Sequence, residues 1–470
     1  MKTITNIIQY TFLCSIVLLS LGSCSEENEL IGDPFVVAFN QSDLNTANMA
    51  AQEEIMLDYS RVASQSGTFE ITIDTQNTLE YGVDYVTVPE AVDNVIYGVI
   101  TTGTDTNSIV FETLSSNFDD TTVIKLTVAN IDYQGANIQG NSQLVISSEI
   151  SSSGSVEPNL GGANEGNQVY VDLSSRNTTE VQRDSWDLGF YSGDAFRVTI
   201  NGSIYMATKA LSETNIDAIS ASDVASLQSQ VAVGTFNADN SDYVDAPNGS
   251  ILETAIDEIS SNAIENPVYL VNLGYEVGTD EANVGSVAIV GEHRGWKKIR
   301  ILRSGEDYVL QYADLDDTTH QEITISKNQT HNFSHFSFNT NTIVDVEPQR
   351  EKWDLCFTVF TNVIPDNGSY GFSDFVYHNR KGGALAYQVN TSEYAYDDFS
   401  IANVNEASFS ENQATIGSNW RSVFNGVFQD RFFILKDTNG NIYKIKFLAL
   451  TNENGERGYP KFQYDLLIEQ

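Results

Sequence analysis

The chain has 470 residues, room for roughly two to four domains. Its 24 Lys and Arg stand against 64 Asp and Glu, a formal charge of −40, so it repels nucleic acid and anionic lipid headgroups and a polyanion-binding role is excluded. Hydrophobic residues at 41% and aromatics at 11% supply material for cores, which excludes wholesale disorder.

The first elements set an address. Met1-Lys2 is followed by an apolar run from Ile7 to Leu21, broken by Gln9, Thr11, Ser15 and Ser20. The run is too short and interrupted to span a bilayer comfortably and has the size of a signal-peptide core. It ends in Leu21-Gly22-Ser23-Cys24, which resembles a bacterial lipobox. The resemblance implies a signal peptide over residues 1–23, cleavage before Cys24, and acylation of that cysteine on its thiol and new amine. Cys14 leaves with the leader and Cys24 carries the anchor, so Cys356 is the only other thiol and the mature chain has no intrachain disulfide. Residues 24–33 read as a tether, and Ser25-Glu26-Glu27-Asn28-Glu29 resembles the surface-export signal of one group of bacterial lipoproteins. The expected location is the outer membrane, facing outwards, with lipid as the tether; several acyl chains hold where one barely does.

Residues 34–148 alternate in short runs. Phe35 to Phe39, Phe69-Glu70-Ile71-Thr72-Ile73, Ile109 to Leu114, Val123 to Val128 and Leu144-Val145-Ile146 are strand candidates separated by Asn, Asp, Ser and Gly. That spacing predicts a β-sandwich. Tyr81-Gly82-Val83-Asp84-Tyr85, with the later Ile109-Val110-Phe111 and the Ile124-x-Leu126-x-Val128 strand, resembles the Calx-β type of immunoglobulin-like module. Some relatives bind calcium through acidic loops, and Asp119-Asp120 could imitate that, but paired acids arise by chance in so acidic a chain and a spacer is the simpler role. A Gly/Ser/Asn stretch over residues 149–168 reads as an interdomain linker.

The remaining residues contain an echo. Gln182-Arg183-Asp184-Ser185-Trp186-Asp187-Leu188-Gly189-Phe190 returns as Gln349-Arg350-Glu351-Lys352-Trp353-Asp354-Leu355-Cys356-Phe357, 167 positions later, and Val169 to Leu173 parallels Phe336 to Thr340 at the same offset. Two copies suggest pseudo-symmetric halves of one large β domain. Trp186 and Trp353 would fill cores, Asp187 and Asp354 would take turn N–H bonds or a nearby arginine, and Cys356 would be a buried, inert thiol. Within residues 211–265, Ile219 to Val231 and Ile251 to Ile264 read as short helices. Strands resume at Lys298 to Leu302, Tyr308 to Tyr312 and Glu322 to Ile325. Arg294, Lys297, Lys298, Arg300 and Arg303 read as the solvated face of a strand, or as an attractor for an anion. Phe432 to Leu435, Asp437-Thr438-Asn439-Gly440-Asn441 and Tyr443 to Phe447 form a hairpin signal.

Trp353-Asp354-Leu355-x-Phe357, Ile416-Gly417-x-x-Trp420 and the Asp437-x-x-Gly440-x-x-Tyr443-Lys444-Ile445-x-Phe447 hairpin together resemble the HmuY-type lipoproteins over residues 169–470. The resemblance implies an all-β surface lipoprotein that captures haem, holds its iron between two His or Met side chains and passes it towards a TonB-dependent receptor. The expected architecture is all-β: an immunoglobulin-like β-sandwich, then a larger, mostly antiparallel HmuY-like domain with internal duplication and a few short helices.

Haem asks for soft nitrogen or sulfur ligands, an apolar slot and donors for its propionates. Five histidines are on offer: His293, His320, His331, His335 and His378. Of the methionines, Met49 and Met56 belong to the first domain, which leaves Met206. His378 is the chosen axial ligand, because it closes Phe375-Val376-Tyr377 shortly after the second Trp-Asp-Leu copy, where the family carries ligand-bearing strands. Arg380 and Lys381 follow it as propionate partners; the plain alternative is a turn histidine before Gly382-Gly383. His331 and His335 would share a face only on a helix, and their surroundings read as strand or loop. A second axial ligand is therefore left open. No His-Glu-x-x-His, Gly-x-Ser-x-Gly, phosphate loop or dinucleotide fingerprint occurs, so an enzyme is not expected. The competing readings are a glycan- or nutrient-capture lipoprotein and a non-catalytic adhesive one.

Overall fold

Runs that alternate apolar and polar side chains bury one face of a strand and wet the other. In the computed structural model, which describes residues 34–468 apart from residues 42, 46–48, 50, 76–78, 116–121 and 148–152, such runs give 31 strands. The chain is all-β: among the described residues, helix is confined to Ala221–Val224 and short 3-10 turns. Cys24, the signal peptide, the acidic tether and Asp119-Asp120 lie outside the described residues. Contacts divide the chain into two units, residues 1–148 and 149–470.

The first unit contains β1 (Val37–Phe39), β2 (Asp43–Asn45), β3 (Gln52–Tyr59), β4 (Gly67–Asp74), β5 (Tyr85–Val88), β6 (Val95–Ile100), β7 (Thr106–Thr113), β8 (Val123–Asp132) and β9 (Gln143–Ser147). They form two sheets, β1-β3-β7-β5 and β2-β9-β8-β4-β6. The inward residues of both, such as Ile55, Leu57, Phe69, Ile71, Phe111, Leu126 and Ile146, make one core. This is the β-sandwich that the alternation predicts.

The second unit runs through β10 (Ser153–Val156), β11 (Asn167–Val171), β12 (Thr178–Gln182), β13 (Leu188–Tyr191), β14 (Val198–Ile200), β15 (Ala207–Ala210), β16 (Val268–Asn272), β17 (Tyr275–Val277), β18 (Val290–His293), β19 (Trp296–Ser304), β20 (Asp307–Asp314), β21 (Gln321–Ile325), β22 (Phe333–Ser337), β23 (Thr342–Val344), β24 (Leu355–Ile364), β25 (Gly368–His378), β26 (Leu385–Asn390), β27 (Arg421–Ser422), β28 (Gly426–Val427), β29 (Arg431–Lys436), β30 (Ile442–Thr451) and β31 (Arg457–Ile468). An outer sheet β15-β16-β19-β20-β21 packs on an inner sheet β14-β13-β22-β23 through Leu188, Phe190, Val271, Ile299, Leu310 and Phe336. A second outer sheet, β10-β31-β30-β29-β26, packs on a second inner sheet, β12-β11-β24-β25, through Val169, Val171, Phe357, Leu435, Phe447 and Phe462. Between the inner sheets, Tyr170, Trp186, Val346, Trp353 and Cys356 form a further cluster.

The order of strands explains the echo. One copy is β10–β20 and the other is β21–β31. The three leading strands of each copy sit in the other copy's sheets: β10 pairs with β31 and β11 with β24, while β21 pairs with β20 and β22 with β13. The copies are thus intertwined by a reciprocal exchange within one chain, as domain-swapped dimers are between chains. The echoed aspartates fasten the exchanged strands. Asp187 N donates to Phe336 O and Asp187 Oδ2 accepts from Phe338 N at 2.6 Å; Asp354 N donates to Val171 O and Asp354 Oδ2 accepts from Leu173 N at 2.8 Å. Phe336 therefore answers to Val171, an offset of 165 and not 167 for the leading strands. The two-residue slip is even, so every side chain keeps its face and the apolar pattern hides it.

Three other expectations change. Residues 153–168 are not a free linker: β10 is an edge strand of the outer sheet, and Leu160 and Glu165 are fully buried. Residues 251–262 are irregular and only a 3-10 turn at Ala263–Glu265 follows, while α-helix near 219–231 is limited to Ala221–Val224. The basic strand β19 is not a solvated face. Lys298 is buried and donates to Ile219 O and Asp317 O, both at 2.6 Å; Arg300 donates to Ala263 O and Asn266 O, and Arg303 to Ile259 O. These cations hold the long segment between β15 and β16, and for Lys298 also the β20–β21 turn, by backbone carbonyls, which occupies donors that an anion would need.

Candidate functional site

The inner sheets do not close completely. A cavity of about 130 Å³ lies between them. Its aromatic walls are Tyr170 and Trp186 from one copy and Phe333, Trp353 and Tyr377 from the other. His378, His335, Met206, Arg380 and Lys381 all reach it. The structure thus brings the chosen histidine together with both expected propionate partners and with two other ligand-type side chains. His293, His320 and His331 do not line it. Exchange of the leading strands is what joins His335 to His378. His335 lies on β22, packed edge-on against Trp186 with ring centroids 4.7 Å apart, and comes from β25's own copy but from the opposite inner sheet.

The duplication gives the site its asymmetry. His378 pairs across β24 with Leu355 as Ile200 pairs with Leu188, so an imidazole occupies the place of an isoleucine. It is fully buried, and neither ring nitrogen makes a hydrogen bond of ordinary geometry among the described residues, although the Glu411 backbone lies close enough to pull the ring's pKa up in part. Burial, helped by Arg380 and Lys381, pushes its pKa down to about 3, so the ring is neutral with a lone pair available. His335 is pushed down to about 3 as well, by burial and then by His331. In the first copy Trp186 Nε1 donates to Gln168 Oε1 at 3.2 Å. Phe333 takes the corresponding place in the second, and Trp353 Nε1 is left without a partner among the described residues, as are Thr358 Oγ1 and Asn332 Oδ1. Unpaired polar atoms are costly when buried, and those that line this cavity suit a polar guest or water.

Charged groups close the rim. Asp245 accepts from Ile200 N at 2.9 Å and Ala255 N at 2.8 Å, and burial raises its carboxyl to about 6. Glu347 accepts from Phe333 N at 2.7 Å and is raised to about 7 by burial. Burial lowers Lys381 to about 8 against the pull of both carboxylates. Arg380 donates to Asn248 O at 2.9 Å and pairs with Glu411 at 3.2 Å. Lys381 Nζ donates to Gln413 Oε1 at 3.3 Å. Both cations are therefore engaged with protein groups. Cys356 is buried and its thiol is raised to about 12 by burial, which makes it inert.

The arrangement offers an iron two neutral imidazoles and a thioether. It is partly open to solvent, but as it stands it does not offer a macrocycle room. A volume of about 130 Å³ suits a guest of benzene size or about four waters, whereas drug-sized ligands occupy pockets of roughly 300–1,000 Å³.

Comparison with known proteins gives a family for the larger unit. The family model described as HmuY protein matches twice, over residues 164–332 and 311–464, in step with the two intertwined copies. No curated protein matches the chain. The first unit's likenesses among solved structures are weak. The crystal structure of the apo-form Calx CBD1 domain is 12% identical, over 24% of this chain and 97% of that one, with a TM-score of 0.20. The crystal structure of CBD12 from CALX1.2 is 13% identical, over 31% of this chain and 75% of that one, with a TM-score of 0.19.

Proposed function

The chain belongs to the HmuY family, and from that premise we propose that it captures haem at the cell surface. HmuY proteins are haem-binding and not enzymes at the level of the family. The observation that carries the reading to this chain is His378: a buried, neutral imidazole with no hydrogen bond of ordinary geometry, on a cavity that His335 and Met206 share. His378 is the first axial ligand. His335 or Met206 supplies the second. Trp186, Trp353, Tyr170 and Tyr377 stack along the macrocycle, and Arg380 and Lys381 turn from their present partners to the propionates. Acylated Cys24 holds the protein in the outer membrane, and a TonB-dependent receptor takes the haem onwards.

Titration of the purified protein with hemin, followed by absorbance, tests this. A shifted, saturable Soret band in the wild type that is lost in His378→Ala supports it. No shift in the wild type refutes haem capture, and an unchanged shift in His378→Ala refutes the ligand. The cavity's small volume favours a second reading, capture of a small nutrient such as a single sugar ring seated partly in the opening. Calorimetric heat with a glycan panel and no hemin response would select that reading.

A further inference from the structure

The disparity between the cavity and a macrocycle directs attention to what covers it. Seven residues between 244 and 254, all from the segment joining β15 to β16, form one wall. The segment closes on itself: Ala246 N donates to Glu253 O, Ser250 N to Asn248 Oδ1 and Asn248 Nδ2 to Glu253 Oε2. It is held at its base by the Asp245 carboxylate, which takes the N–H groups of Ile200 and Ala255. Its tip is hydrogen-bonded to the other copy. Arg380 and Gln413 N donate to Asn248 O at 2.9 and 3.1 Å, and Gln413 Nε2 donates to Pro247 O at 3.2 Å. Gln413 in turn is tied to the site, its carbonyl accepting from His378 N at 3.2 Å and its side chain from Lys381. Gly249 permits the closure. It has φ +75, and a Cβ there would run into the Gln413 side chain.

We propose that residues 246–253 are a lid, hinged at Asp245 and latched by Gln413 and Arg380, that must lift for haem to reach His378; this rests on the haem reading above. A flap that buries little apolar surface and is held by a few backbone hydrogen bonds opens at small cost. The latch and the expected propionate partner share Arg380, so an arriving anion competes for the group that keeps the lid shut. The lid's base responds to the same charges. Asp245, Glu347, Lys381 and Arg380 face one another across the rim, with Glu411 outside.

The test joins the latch covalently. Asn248 and Gln413 touch through their backbones, within reach of a disulfide. In the Asn248→Cys/Gln413→Cys protein, the oxidised form should bind hemin at least about tenfold more slowly than the reduced form, as expected when an open state of a few per cent is removed. Reductant should restore the rate, and Gly249→Ala, which props the tip, should raise it above wild type. Hydrogen exchange without hemin gives an independent measure: amides of 246–253 should exchange faster than those of β24 and β25, and oxidation should slow them. Equal hemin rates in both redox forms, or exchange as slow as in the strands beneath, overturns the lid. Fast exchange with no hemin response in the wild type keeps the lid and sinks the haem reading.

Discussion

Replacing His378 by isoleucine puts numbers on the buried imidazole. The ring's pKa falls from 6.5 to about 3, chiefly through burial. With a depressed pKa the unfolded chain takes the proton first. The contribution to stability is therefore whole above pH 6.5 and drains away as the pH falls towards 3. At 1.36 kcal/mol per pKa unit, lowering the pH from 7 to 4 should cost the wild type about 3 kcal/mol through this side chain. His335, pushed down to about 3 in the same way, adds a like amount in both proteins. The variant should therefore lose about 3 kcal/mol less than the wild type over that interval. At pH 7 it should be as stable as wild type or up to about 2 kcal/mol more so, because the ring's two nitrogens, which make no hydrogen bond of ordinary geometry, give way to the residue type that fills the matching place at Ile200. Urea unfolding at the two pH values, read by tryptophan fluorescence, isolates the effect, since Trp186, Trp296, Trp353 and Trp420 all lie in the larger unit. If the variant and the wild type lose equal stability between pH 7 and 4, the imidazole is not held neutral by its surroundings, and the case for a waiting lone pair fails.

The duplicated aspartates should behave unequally. Asp187 bonds Arg294 at 2.7 Å in a buried pair, and its pKa is nonetheless raised because desolvation outweighs the arginine. Asp187→Asn should cost about 3 kcal/mol by stranding a buried guanidinium. Asp354 faces Asp172 and Asp437, and burial with these two carboxylates raises its pKa well above the ordinary range. Asp354→Asn keeps an acceptor for Leu173 N and sheds a repelled charge, so it should cost less than about 1 kcal/mol. Denaturant midpoints decide, and equal costs would refute the distinction. Lys298→Met should orphan the carbonyls of Ile219 and Asp317 and cost about 2–4 kcal/mol, with faster hydrogen exchange at 216–224; a neutral substitution would show that the strand merely displays its charges.

Much of this fold can be read from the chain because alternation is a local signal. The sandwich core, the Asn-Gly hairpin between β29 and β30 and the Trp-Asp-Leu echo all declare themselves within a few residues. What escapes is relational. No spacing reveals that β11 pairs with β24 from the other copy, and an even slip between the echoes leaves the pattern intact. Residues 153–168 look like a tether because Gly, Ser and Asn dominate them, yet Leu160 and the buried Glu165 fasten them down. His378 stood out by its place after the second echo. His335 did not, since its four-residue spacing from His331 reads as a helical pair, although a strand also puts positions four apart on one face and His331 lies before β22. The signal that could have found it is the alignment of the copies: at an offset of 165, His335 answers to Tyr170, another cavity side chain. The unpaired Trp353 Nε1 could be anticipated likewise, from Phe333 answering to Gln168.

The exchange of leading strands bears on how the polypeptide matures. Among the described residues β10 has one strand neighbour, β31, paired from Ser153 to Asp465, so the first strand of the larger unit waits for the last. The sandwich that β10 and β31 share is finished only once the C-terminal strand is in place, whereas the other draws all its strands from residues 188–344. A chain cut short before Arg457 would leave β10 and β30 without the strand that joins them.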